Sequence, residues 1–220
     1  VALALIGFAP ADLQRAGLDA ALKGDPVVFC PGGCDAHGGE HPLDLSPLEA
    51  ALPELKETVS AVAICGLFAV RNPRQEIAAR ELVRALGLPT TASHELSAKL
   101  DGPKRALTTL LNARLISMIG RLVASTERFL RSRGVTAPLM VVRGDGALAP
   151  ASFAKERPIE TILSGPAASL VGARYLTGLD DAIVSDIGGT TTDVAALSGG
   201  RPRLDPQGAR VGGFRTMVEA

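Results

Sequence analysis

Residues Ile183–Asp193 read IVSDIGGTTTD. A buried core strand has no use for two glycines, three consecutive threonines and two framing aspartates, because glycine weakens a strand and buried hydroxyls must find partners. The pattern predicts a strand ending at Asp186, a tight turn over Gly188, Gly189 and Thr190, and a return strand starting near Val194. Backbone N–H groups in such a turn are unshielded by side chains and can wrap phosphate oxygens, while Thr190, Thr191 and Thr192 add hydroxyl donors. Asp186 and Asp193 are the candidate Mg2+ ligands, acting through water because that ion keeps much of its hydration shell. A plain β-hairpin needs only the two glycines.

Upstream lies Glu160–Ser169, ETILSGPAAS. Ser164 or Gly165 is placed to cap a helix and Pro166 suits its first turn, which would aim free N–H groups and the positive end of the helix dipole outward. An ordinary strand-to-helix junction gives the same pattern. Arg143–Ala149, RGDGALA, formally matches a GxGxxA dinucleotide fingerprint, but Pro150 interrupts the helix that the fingerprint must open. A tight turn with Asp145 facing solvent or substrate is the better reading. No GxxxxGK[ST] occurs, so a P-loop is excluded.

Further out, short apolar runs alternate with helical patterns. Val59–Phe68 reads as a buried strand, followed by a crossover helix from Asn72-Pro73 to about Leu86. Pro103 to about Arg133 reads as one long helix with Leu107, Leu111, Leu115, Met118, Leu122 and Phe129 on one side. Pro138–Val142 and Ile159–Leu163 read as buried strands, Ala167–Leu176 as a helix, and Ala182–Ser185 and Val194–Leu197 as strands. The fold class is α/β with several crossovers.

The chain has 220 residues, 46% of them hydrophobic, and its 23 basic and 23 acidic residues cancel. That balance points away from nucleic acid and from an anionic membrane surface as partners. No apolar run reaches the ~18 residues of a membrane span, and no signal-peptide pattern opens the chain. Three cysteines, an odd and sparse set, argue against a disulfide framework and for a reducing, cytoplasmic location. Val1 opens an apolar run and Glu219-Ala220 closes without a cap or tail, so both ends read as cuts in a longer chain.

Two clusters leave alternatives open. Cys30, Cys34, His37 and His41 crowd into one glycine-rich loop, either as a zinc site or as a surface or interface loop, without the long spacer that usually separates the cysteines from the histidines of a structural zinc site. Arg114, Arg121 and Arg128 stand seven apart on the long helix, either as a solvated stripe or as a face for an acidic partner surface.

The run RPIETILSGPAASLVGARYLTGLDDAIVSDIGGTTTDVAAL, continued by GARVGGFRTMVEA, resembles the hydantoinase/oxoprolinase family. SHELS at Ser93–Ser97, LNARL at Leu111–Leu115, APLMVVRGDGAL and FAVRNPRQE resemble it as well. The family includes ATP-dependent N-methylhydantoinases, 5-oxoprolinases and subunits of acetone-type carboxylases. The resemblance implies a ribonuclease-H-like fold of the actin/Hsp70/sugar-kinase ATPase type, incomplete here, with its partner phosphate loop outside these residues. It implies that residues 1–92 are the C-terminal part of the family's N-terminal domain and residues 93–220 the first part of the hydantoinase A-type ATPase domain.

The activity that this resemblance implies is ATP-dependent hydrolysis of a cyclic amide, a hydantoin or 5-oxoproline, by the full-length protein, these residues alone being inactive. Its cofactors would be ATP and Mg2+, and its partner a second subunit of the hydantoinase B type in an oligomer. Gly188, Gly189 and Thr190 would hold the β- and γ-phosphates, Asp186 and Asp193 the metal or its water, and Ser164-Gly165 would donate to a phosphate or to the substrate carbonyl. No catalytic base is identifiable. A ketone carboxylase subunit, a sugar-type kinase and a non-catalytic interaction subunit are the competing readings.

Overall fold

Two strands that are apolar at every position decide the architecture of the first half of the chain. ALALI at Ala2–Ile6 (β1) and VAICG at Val62–Gly66 (β3) are buried throughout, as strands covered on both faces must be. The computed structural model describes residues 1–220, and they fall into two compact units: Val1–Met118 with Arg210–Met217, and Ile119–Ala209 with Val218–Ala220.

In the first unit, β1 is followed by a 3-10 segment at Pro10–Gly17, helix α1 (Leu18–Leu22), β2 (Val27–Cys30), α2 (Ser46–Thr58), β3, α3 (Arg74–Ala85), β4 (Thr90–Ala92) and α4 (Ser93–Leu96). The four strands form one parallel sheet in the order β2-β1-β3-β4. Leu48, Leu52 and Leu55 of α2 and Ala79 and Val83 of α3 pack on Ala2, Ala4, Ile6, Val62 and Ile64. On the other face, Cys65 Sγ lies 3.7 Å from the Gly102 carbonyl and Thr91 Oγ1 accepts from Asn112 Nδ2 at 3.1 Å, tying the sheet to α5 (Gly102–Ser132). The expected strand and crossover helix are thus present at Val62–Gly66 and Arg74–Ala85, and β4 is a parallel strand that the sequence reading does not anticipate.

Helix α5 bears out the expected long helix but not its faces. Leu107 and Leu111 are buried, whereas Met118, Leu122 and Phe129 are exposed. Arg114 leaves the expected stripe: its guanidinium pairs with Asp25 at 2.7 Å and donates to the Ala21 and Leu22 carbonyls. By length and composition one window of α5 would also cross a bilayer, contrary to the sequence expectation; half of that window is buried in the protein, as in a core helix.

The second unit contains β5 (Met140–Val142), β6 (Leu148–Pro150), α6 (Ala151–Glu156), a 3-10 turn at Pro158–Thr161, α7 (Ser164–Thr177), β7 (Ala182–Ile187), β8 (Thr192–Ser198) and β9 (Arg201–Pro202). Strands β5 and β6 pair as a hairpin, and β7-β8-β9 form an antiparallel sheet. A short ribbon of β10 (Arg210–Val211) and β11 (Phe214–Arg215) belongs to the first unit.

Two strand expectations fail here. Residues 159–163 form a 3-10 turn because Pro158 fixes the start and Leu163 takes a left-handed φ of 61° to enter α7. Residues 138–142 yield a strand of only three residues, exposed or half-buried rather than core. Arg143–Gly146 is the tight turn that joins β5 to β6, closed by Arg143 N–H to the Ala147 carbonyl at 2.8 Å.

Candidate functional site

The glycine–threonine stretch folds as the tip of the β7–β8 hairpin. Antiparallel register pairs Ile187 with Thr192, Asp186 with Asp193 and Ser185 with Val194. Directly opposed residues of an antiparallel pair project to the same face, so Asp186 and Asp193 stand side by side at the base of the turn. The Gly188 N–H donates to the Thr191 carbonyl at 2.9 Å and closes the turn. Gly189 has open space where a Cβ would be, and Gly188 meets only the Thr191 carbonyl, at 3.2 Å. Every residue from Ser185 to Val194 is exposed, so the threonine hydroxyls and the tip backbone face solvent.

The face carrying Asp186 and Asp193 is the one that α7 covers. Ser169 Oγ donates to Asp186 Oδ2 at 2.6 Å. A cavity of about 400 Å3 is lined by Asp193, by Leu163, Pro166 and Ala167 from the start of α7, and by Gly144. The structure thus brings Asp193 and Pro166 of the SGP segment to one cavity, whereas Ser164 and Gly165 do not line it. It corrects the capping detail: α7 begins at Ser164 with left-handed Leu163 as its N-cap, and no side chain makes a cap hydrogen bond. Ser164 and Gly165 lie in the first turn, so their backbone, not the serine hydroxyl, presents donors at this end.

Two contributors escaped the sequence reading. Ser169 is one; a hydroxyl among Ala167, Ala168 and Leu170 is its only signal in the sequence. Beside the cavity, Arg143 pairs with Asp145 at 3.0 Å and Glu160 at 3.1 Å, and the Gly144 N–H donates to the Glu160 carbonyl at 2.9 Å. Burial pushes the Glu160 carboxyl above its ordinary range, against the pull of Arg143 and Arg157. A Cβ on Gly144 would collide with the Ile162 carbonyl and Ala220, which explains a glycine at this bend.

The cysteine–histidine loop does not assemble a zinc centre. No three His, Cys, Asp or Glu side chains gather around one point anywhere in the protein. Cys30 and Cys34 are buried free thiols, Cys34 reaching the Asn72 carbonyl at 3.7 Å, while His37 and His41 are exposed. Burial raises both thiols above their ordinary pKa, the reverse of what a metal thiolate needs. Asp186 and Asp193 fit Mg2+ by chemistry, as two hard oxygen donors beside an open turn that leaves room for the ion's waters.

Comparison with known proteins fits this geometry. The hydantoinase/oxoprolinase family model matches residues 105–220, and that of the hydantoinase/oxoprolinase N-terminal region matches residues 8–87. Caprolactamase subunit alpha of Pseudomonas jessenii is 34% identical over 167 residues, which is 73% of this chain and 24% of the relative. The acetophenone carboxylase gamma subunit of Aromatoleum aromaticum is 27% identical over 71% of this chain and 22% of its own length. The acetone carboxylase beta subunit of Xanthobacter autotrophicus is 26% identical over 74% and 24%. The chain thus spans about a quarter of the length of these curated relatives. Among solved structures, ATP-dependent caprolactamase from Pseudomonas jessenii superposes with a TM-score of 0.73 at 27% identity, over 89% of this chain and 32% of that one. Nucleotide-free acetone carboxylase gives 0.72 at 21% identity over 99% and 35%, a likeness of fold alone. With its α/β architecture and both family regions matched, the chain belongs to the hydantoinase/oxoprolinase family.

Proposed function

We propose that these residues form part of an ATP-dependent amidohydrolase that opens a cyclic amide of the hydantoin, 5-oxoproline or lactam type. The observation that carries the reading is the register of β7 and β8, which sets Asp186 and Asp193 side by side at the base of an uncovered Gly188–Thr191 turn. An amide resists water because of its resonance. Transfer of the γ-phosphoryl group of ATP to the carbonyl oxygen, with release of ADP, would remove that resonance. Water then adds at carbon, the ring C–N bond breaks to free the amine, and a second water releases phosphate from the acyl group. The protein's task is then to position the reactants and to neutralise charge. Because the Gly188 N–H closes the turn, the donors for phosphate oxygens fall to the backbone of Gly189 and Thr190 and the hydroxyls of Thr190, Thr191 and Thr192. Asp186 and Asp193 hold Mg2+ through its waters, with Ser169 fixing the rotamer of Asp186. Ser164-Gly165, in the first turn of α7, presents backbone donors to a phosphate or to the substrate carbonyl.

Domain limits near residue 92, a hydantoinase B-type partner subunit in an oligomer and a cytoplasmic location belong to the same proposal. The three free, buried cysteines agree with a reducing compartment. A second reading, a ketone carboxylase subunit, is favoured by the two carboxylase relatives. The experiment is ATP hydrolysis by the full-length protein with its partner subunit, challenged separately with hydantoin, 5-oxoproline, caprolactam, and acetone plus bicarbonate. Stimulation by a cyclic amide that Asp186→Ala abolishes supports the first reading. Stimulation by ketone and bicarbonate alone replaces it with the second, and unchanged turnover in Asp186→Ala removes the phosphate-turn assignment.

A further inference from the structure

The parallel sheet of the first unit has a topological switch point that the phosphate-turn reading does not use. From β1 the chain passes to β2 on one side and then to β3 on the other, and ligands of open α/β sheets bind beyond the carboxyl ends of the strands at such a point. A cavity of about 670 Å3 lies there, within the size range of small-molecule sites. Leu67 and Phe68, which directly follow β3, form one wall. Gly102 adjoins it, packed against the ring of Phe8, which follows β1.

Its charge is one-sided. Arg15, Lys104, Arg105 and Arg215 line it against a single lining carboxylate, Asp101, in a chain whose charges cancel overall; Asp12 pairs with Arg15 at 3.5 Å, and Glu76 shares Ser93 Oγ with Arg105 behind the wall. Arg105 is 1% exposed and rigidly anchored, its guanidinium donating to Ser93 Oγ at 3.3 Å, the Lys99 carbonyl at 3.4 Å and the Gly66 carbonyl at 2.8 Å. Its charge is thus fixed at the base of the cavity.

The backbone is strained at the same place. Only five non-glycine residues have positive φ, and three of them line this cavity: Ala16 at 56°, Phe68 at 52° and Asp101 at 86°. Such strain persists only where the surrounding structure enforces it, and it concentrates at ligand clamps. Apolar side chains of Leu67, Phe68 and Leu100 beside the cations describe an amphiphilic ligand.

We propose that this cavity is a binding site for a small, multiply charged organic anion, carrying a phosphate or two carboxylates on an apolar body. It lies wholly within the first unit and is independent of the hairpin site, so either assignment can fail without the other.

The test is titration of the 15N-labelled 220-residue chain with phenyl phosphate and, separately, with adipate, at ionic strength held constant with sodium chloride. Saturable shifts of the Phe68, Asp101 and Gly102 amides are expected, weakened at least tenfold in the double variant Lys104→Gln/Arg215→Gln. The spectrum of that variant itself reports whether it is folded, and Arg15→Gln on the exposed rim gives a second, milder reading. Binding of phenyl phosphate alone assigns a phosphorylated ligand, and binding of adipate alone a dicarboxylate. Absence of saturable shifts at these amides with both probes, or equal affinity in the folded double variant, overturns the proposal.

Discussion

Ser169 Oγ donates to Asp186 Oδ2 at 2.6 Å, so one helix hydroxyl fixes the direction of the carboxylate at the base of the Gly188–Thr191 turn. Ser169→Ala should leave the fold intact and cost about 1 kcal/mol of local order at the hairpin. If the full-length protein hydrolyses ATP as proposed, Ser169→Ala should lower kcat about tenfold, whereas Asp186→Asn, which keeps an oxygen for Ser169 but removes the charge, should abolish turnover. Equal, small losses in both variants would show that the carboxylate has no part in metal or phosphate binding.

Glu76 governs the stability of the first unit. It is fully buried and accepts from the Gly66 N–H at 2.6 Å, Ser93 Oγ at 2.5 Å and the His94 N–H at 2.9 Å, with His94 Nδ1 at 2.5 Å. Glu76→Ala strands these donors and leaves buried Arg105 without its nearby countercharge, at a cost of about 3 kcal/mol or more. A fall in the urea midpoint is the readout; an unchanged midpoint contradicts the network.

Native thiols should be nearly inert. Cys65 is fully buried and its pKa is pushed up to about 12, chiefly by desolvation, with Glu76 adding to the effect. Cys30 and Cys34 are shifted upward too. With an aromatic disulfide reagent at pH 8, the native chain should show no fast phase, and denaturant should release three reactive thiols. A thiol that reacts at once in the native state would show that one of these sites opens.

The turn at Asp35 supplies the pH dependence. Its carboxylate accepts from the Gly39 N–H at 2.9 Å and the His37 N–H at 2.8 Å, which hold it below the usual carboxylate range. A depressed folded pKa means that its stabilising effect is complete above the unfolded value of ~3.9 and is lost as pH falls through the lower folded value. A carboxyl 13C titration should place the midpoint below ~3.9. A midpoint at or above that value would mean the turn is not closed in solution.

Local chemistry made much of this legible. Two glycines and three threonines between apolar runs define a hairpin, and an apolar repeat of one-face spacing defines α5. The misreadings arise where a residue's partner is distant in sequence. Arg114 looks solvated until Asp25 is brought to it, and Glu76 reads as one more surface acid of α3 until the Ser93-His94 turn encloses it. Residues 159–163 are strand-like in composition, but Pro158 and the left-handed bend at Leu163 prevail over propensity. The pairing of Asp186 with Asp193 required the register, which no single-strand pattern contains.

The face of the β7–β8 hairpin turned away from Asp186 carries Ile183, Ile187 and Val194, all more than half exposed, and β7 is an edge strand. A flat, apolar, open-edged ribbon is a template on which further chains stack. Solubility of these residues in isolation is therefore governed by that outer face, and one lysine in place of Ile183 should raise the concentration at which the preparation stays clear.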